Sequence, residues 1–318
     1  MIKQLLLIGL FFVALATTGL AQQEEQYTQW MYYKMGLNPA YAGSSDAACI
    51  TAIARSQWVG LEGAPETQLL TFNMPLLNQR IGVGGSILRQ TIGISEKYTA
   101  EAVYSYRIRW GRGTLAMGVQ GSVRLLRTDY SEAESIQPQD LDQAIPVGVQ
   151  SKFVPNFGAG LYYKSNSFFI GFSVPRILQS NIDLADSELV ISREALHMYL
   201  MGGITFALGE SIDFQPQLLL KYVDGAPFDG DINASFIFND KFTTGISYRL
   251  GGARNSGIGE SLSLILAVQL TDDILFGASY DATLSDLRQY NSGSFEAVFN
   301  YCIGGKSEGD EFISPRFF

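Results

Sequence analysis

From about residue 47 onward, apolar and polar positions alternate with a period of two. Between Ser261 and Leu270, the side chains of Leu262, Leu264, Leu266, Val268 and Leu270 face one way. Ser261, Ser263, Ala267 and Gln269 face the other, with Ile265 the exception. Lys97 to Trp110 repeats the pattern, with Tyr98, Ala100, Ala102, Tyr104, Tyr106, Ile108 and Trp110 against Thr99, Glu101, Ser105, Arg107 and Arg109. Asp231 to Asn239 sets Ile232, Ala234, Phe236 and Phe238 opposite Asp231, Asn233, Ser235 and Asn239. A period of two over about ten residues is the pattern of a strand with one face on lipid and the other on a polar lumen.

Read this way, the chain predicts about fourteen strands. They lie near 47–57, 66–77, 80–92, 96–110, 113–127, 151–164, 167–176, 195–208, 211–223, 228–239, 241–250, 258–271, 273–283 and 293–303. Connections after even-numbered strands are tight: Leu77-Asn78-Gln79, Gly111-Arg112, Ser165-Asn166, Gly209-Glu210, Asn239-Asp240 and Thr271-Asp272. Those after odd-numbered strands tend to be longer: 58–65, 128–150, 177–194, 224–227, 251–257 and 284–292. Short periplasmic turns alternating with longer outer loops describe an all-β, antiparallel, up-and-down transmembrane barrel, and place both termini in the periplasm. A soluble sandwich would not be expected to keep that alternation.

Before the strands comes Gln26 to Gly43, aromatic and nearly uncharged, which fits neither a period of 2 nor one of 3.6. It closes on Asn38-Pro39-Ala40-Tyr41-Ala42-Gly43, where Pro39 fixes φ and Gly43 permits a turn. Residues 22–45 are therefore either a plug tucked into the barrel or an arm on its periplasmic rim. Tyr27, Trp30, Tyr33, Asn38, Pro39 and Tyr41 are the candidate plug residues.

Residues 1–21 read as a signal peptide: Lys3, an apolar run from Leu5 to Ala16, and Gly19-Leu20-Ala21 as a small-residue cleavage site. Removing Lys3 leaves 21 basic against 31 acidic side chains, a formal charge of −10. That acidity argues against nucleic acid as a partner, because phosphate binding needs a basic patch. Hydrophobic residues make up 47% and charged ones 17%, against roughly 25% charged in a typical soluble domain. With 33 glycines and 16 tyrosines, and no long unbroken apolar run beyond the signal, this is the composition of alternating barrel strands. The barrel is expected over 46–303 and a periplasmic tail over 304–318.

Several segments resemble one family closely. They include Gln26-Tyr27 with Asn38-Pro39-Ala40-Tyr41-Ala42-Gly43, and the run Arg55-Ser56-Gln57-Trp58-Val59-Gly60-Leu61-Glu62-Gly63-Ala64-Pro65-Glu66-Thr67. Further marks are Val154 to Tyr163, Gly171 to Pro175, Gly245 to Arg249, and Tyr280-Asp281. Together these resemble the PorP/SprF family of type IX secretion outer-membrane proteins, over nearly the whole mature chain. One departure is Gly293-Ser294-Phe295-Glu296, where the family is expected to carry His in place of Phe295. The resemblance implies a non-enzymatic barrel that docks, helps export or anchors a secreted surface protein, an adhesin, by its C-terminal region. It also implies periplasmic components of the secretion machinery as partners. A passive channel or small-molecule transporter is the alternative. Within the outer-loop motif, Gln57, Trp58, Gly60, Gly63 and Pro65 are the candidate residues.

No catalytic constellation is visible. His197 is the single histidine, which leaves a Ser-His-Asp arrangement or a metal site without partners. No cofactor is expected. Gly82-Val83-Gly84-Gly85 lies in a strand, so it marks a close backbone approach or a kink, not a phosphate loop. By parity Arg55, Glu101, Arg107, Arg109, Gln120, Arg124, Gln215, Gln217, Lys221 and Arg249 point inward. Arg55, Arg107, Arg109, Arg124 and Arg249 would either join a salt-bridged lumen or grip the N-terminal stretch or a partner's segment. Cys49 and Cys302 fall on the inward face of the first and last strands, neighbours in a closed barrel. They would form either a disulfide stapling the seam or two free buried thiols. Two long loops are acidic, one through Asp129, Glu132, Glu134, Asp140 and Asp142, the other through Asp183, Asp186 and Glu188.

Overall fold

The protein is described by a computed structural model covering residues 24–132, 148–184, 193–223, 226, 229–251 and 259–303. The expected signal peptide and tail, and the loop acids Glu134, Asp140, Asp142, Asp186 and Glu188, lie outside the described residues. The strands are β1 (Ala48–Ser56), β2 (Glu66–Leu76), β3 (Ile81–Ile92), β4 (Ser95–Trp110), β5 (Gly113–Asp129), β6 (Val149–Ser165) and β7 (Phe168–Val174). There follow β8 (His197–Ile204), β9 (Phe206–Ala207), β10 (Ile212–Val223), β11 (Asp229–Phe238), β12 (Phe242–Leu250), β13 (Ser261–Gln269), β14 (Ile274–Thr283) and β15 (Ser294–Ile303).

β8 and β9 form one stave, since both pair with β10. The break at Thr205 falls where β10 carries Pro216, which brings no N–H to the ladder. β15 pairs with β1 from Ala48 opposite Ile303 to Ser56 opposite Phe295. The sheet is thus a closed antiparallel barrel of fourteen staves. Among the described residues, no helix is long and apolar enough to cross a membrane.

Alternation decides the two faces. In β13, Leu262, Leu264 and Leu266 are exposed on the outer wall, while Ser261, Ser263 and Ile265 are buried inside. At one end the turns are tight, with positive φ at Leu77, Asn78, Gln79, Asn239 and Asp240 as such hairpins require. Trp110, Tyr163 and Phe168 form an aromatic cluster at this short-turn end, the placement of an interfacial girdle. The opposite end carries the longer loops, except for the tight β3–β4 turn at Gly93.

The N-terminal segment runs through the barrel. Glu24 lies at the long-loop end, against Arg124 near the end of β5 and Arg176 just past β7. The segment then crosses the interior, and Asp46 meets Arg107 and Lys164 at the short-turn end before β1 begins. The described chain therefore starts at one mouth and leaves, at Ile303, by the other. Strand counting alone takes no account of a segment running back through the lumen.

Candidate functional site

The interior is where charge, aromatic side chains and main chain converge. At the long-loop end Glu24 pairs with Arg124 and, at 2.7 Å, with Arg176. Glu25 pairs with Lys97. The arginines are in turn paired with the wall, Arg124 to Glu194 at 2.8 Å and Arg176 to Glu101 at 3.0 Å.

Below this node, the backbone N–H groups of Thr28 and Gln29 donate to the two oxygens of Glu296, at 3.0 and 2.8 Å. The Thr28 hydroxyl donates to Asp281 at 2.7 Å and accepts from Arg55 at 3.0 Å. Arg55 also pairs with Asp281 at 2.7 Å and Glu296 at 3.0 Å. Arg249 binds Asp231 at 2.7 Å and donates to the Tyr27 carbonyl at 3.3 Å.

In the middle of the barrel Trp30 is 1% exposed, in one cluster with Tyr27, Tyr33 and the inward side chains Ile53, Leu69, Leu88 and Val298. Asn38 accepts from the Ala40 N–H at 2.9 Å, which caps the turn Pro39–Tyr41, and donates to the Leu161 carbonyl of β6 at 2.9 Å. Ser173 donates to the Leu37 carbonyl at 2.6 Å. Tyr41 is half-buried and meets Tyr162 edge to face at 5.4 Å.

At the short-turn end Ser105, Arg107 and Lys164 donate to the carbonyls of Ala42, Gly43 and Ser44 at 2.7, 2.6 and 2.6 Å. The wall thus grips main-chain atoms along the whole length of the segment. It is also cut away to receive them. A Cβ on Gly82 would sit 1.9 Å from the Ala42 oxygen, and one on Gly118 2.2 Å from the Ala40 nitrogen. The cavities left against Tyr27 and against Tyr33 measure about 20 Å³ each, and one beside Lys34 about 50 Å³.

Of the five arginines singled out by parity, Arg55, Arg107, Arg124 and Arg249 are buried and each touches the N-terminal segment. Arg109 is a correction: it is exposed. β4 and β5 are among the longest strands, and their hairpin runs past the filled interior, so inward parity no longer means enclosure there. Cys49 and Cys302 are cross-strand partners with Cα atoms 4.0 Å apart, joined by a disulfide. His197 is buried, its Nδ1 2.9 Å from the Ala195 carbonyl. Among the described residues no group of His, Cys, Asp or Glu is placed to hold a metal ion.

The loop after β1 is folded onto its neighbours. The Gln57 N–H donates to the Pro65 carbonyl at 2.9 Å, and the Trp58 N–H to the Ser294 hydroxyl at 3.1 Å. Gly60 and Gly63 both have positive φ, and the Gly63 carbonyl accepts from Gly93 at 2.9 Å. Glu24, Thr28, Gln29, Ser105 and Lys164 were not singled out from sequence as site residues, and Ser173, Asp281 and Glu296 entered only within stretches compared with the family. Two signals mark their surroundings: glycines on inward positions, and the apolar residues Ile53, Leu69, Leu88 and Val298 facing a lumen expected to be polar.

A model of the family described as type IX secretion system membrane protein PorP/SprF matches residues 19–301. No curated protein matches the chain. Among solved structures, the CymD monoaromatic hydrocarbon channel superposes with a TM-score of 0.51 at 12% identity, over 90% of this chain and 95% of that one. The Acinetobacter baumannii outer membrane protein Omp33 superposes with a TM-score of 0.48 at 8% identity, over 80% of this chain and 98% of that one. At such identities the likeness is one of barrel fold alone.

Proposed function

The chain belongs to the PorP/SprF family of type IX secretion membrane proteins, and from that membership we propose that it is a non-enzymatic docking component of the machine. It is an outer-membrane protein: a closed barrel with an apolar outer wall, in a membrane family of the secretion system. On our reading it holds or hands on a secreted surface protein, an adhesin, through that protein's C-terminal region. Periplasmic components of the machinery engage the short-turn end.

The observation that carries this reading is the occupied interior. A pore needs a continuous water path, and residues 24–46 occupy the interior, with cavities of about 20–50 Å³ beside Tyr27, Tyr33 and Lys34. The four buried arginines are already committed to that segment, so the surfaces free for a partner are the two mouths. At the long-loop mouth the folded loop carrying Gln57, Trp58, Gly60, Gly63 and Pro65 is the candidate contact. Affinity purification from the native membrane, with mass spectrometry of what stays bound, tests the proposal. Recovery of a secreted surface protein, diminished by Trp58→Ala in a barrel that remains folded, is the expected result. Recovery of no secreted protein by the wild type would refute docking.

A further inference from the structure

The outer wall carries a feature that neither the plugged interior nor the docking reading uses. One cross-strand row, read through the registers of β14, β15, β1, β2, β3 and β4, runs Ala278, Ala297, Ala54, Gln68, Arg89, Tyr98. Three small side chains are followed by an amide, a cation and a phenol. Beneath them lies a row with bulkier outward residues, Phe276, Phe299, Leu70 and Ile87. The difference in side-chain size opens a groove of about 470 Å³ in the apolar wall, with Gln68 and Arg89 the polar groups on its border. That volume lies within the roughly 300–1,000 Å³ of small-ligand sites.

Arg89 is out of place on a lipid-facing wall. A guanidinium there is costly at mid-bilayer and nearly free of penalty near the interface. Its position close to the end of β3, at the long-loop end, selects the interface. There it pairs with Glu96 at 2.7 Å, and Arg127 of the next hairpin strand reaches the same carboxylate at 3.4 Å. Two guanidiniums share one carboxylate, which leaves one positive charge facing outward. Their side chains are 43% and 46% exposed. Arg presents a fork suited to phosphate oxygens, and an apolar groove beside it suits a hydrocarbon chain.

We propose that a phosphorylated glycolipid of the outer leaflet binds here, its phosphate on Arg89 and Arg127 and an acyl chain in the groove beside Ala54 and Ala297. Long loops face outward in bacterial barrels, so this end lies in the outer leaflet, where the phosphate is carried on a sugar. The Gln68 amide and the Tyr98 hydroxyl flank Arg89 and can hydrogen-bond sugar hydroxyls. The site is independent of any client protein.

The test uses native mass spectrometry of the full-length mature barrel in detergent with three probes: diphosphorylated lipid A, the same lipid enzymatically dephosphorylated, and phosphatidylglycerol. Wild type is expected to hold the diphosphorylated lipid about tenfold more tightly than either of the others, the scale of one charge-assisted contact. Arg89→Ala with Arg127→Ala abolishes the preference, whereas Ala297→Leu fills the groove and weakens all three probes. Heat-modifiable mobility reports the folded barrel for each variant, and Ala297→Leu leaves both arginines in place should the double variant not fold. Equal binding of the three probes by wild type overturns the proposal. So does a preference that survives the loss of both arginines, or binding unchanged by Ala297→Leu.

Discussion

Arg55 ties two strands and the N-terminal segment together through one guanidinium, bonded to Asp281, Glu296 and Thr28. Removing one member of a buried ion pair strands the remaining charge and costs about 3–5 kcal/mol. Arg55→Met should therefore lower stability by about that much, read as the midpoint of heat-modifiable mobility or of denaturant unfolding. An unchanged midpoint would mean that Asp281 and Glu296 find other partners. Lys34 is the opposite case, a buried cation 4.0 Å above the Phe169 ring and without an ion pair among the described residues.

The N-terminal segment and the wall are moulded to each other, and the mould is what a sequence shows least directly. Gly118 is the sharpest point, because the turn at Pro39–Tyr41 lies against it. Gly118→Val should push the segment out of register while the outward neighbours Met117 and Val119 still face lipid. Limited proteolysis would then cut between residues 24 and 46 in the variant and not in wild type, with the folded band of the barrel retained. Protection equal to wild type would mean the segment is not held at this point. The strands themselves were legible, from β1 to β15, because lipid on one side and an enclosed interior on the other enforce a period of two. The path of the segment was not, since irregular turns such as Lys34–Leu37 and Pro39–Tyr41 leave no periodicity. Its contacts could be read only as oddities of the wall, such as Ile265 and Gly82 on positions expected to be polar. Arg109 shows the limit of parity: a strand that outruns the filled interior exposes both of its faces.

At the scale of the whole molecule, closure rests on the β1–β15 register and on the Cys49–Cys302 link across it. The cysteines could be placed on neighbouring strands from sequence, but their register required the completed circle. The link encloses nearly the entire barrel sequence, a sequence separation of 253 residues, for which the chain-entropy argument gives roughly 5–6 kcal/mol. Cys49→Ser with Cys302→Ser should keep the barrel closed through its ladder, yet lower its unfolding midpoint. Reduction of the wild type should reproduce that shift, and its failure to do so would show the link to be dispensable. The central claim is that residues 24–46 fill the interior, leaving a mouth for docking and no path for ions. Single-channel recording of the mature protein in planar bilayers tests it most directly. A silent membrane for wild type, with conductance appearing when residues 24–46 are dislodged by Gly118→Val, is the predicted result. A steady, ohmic current through the wild type would contradict it.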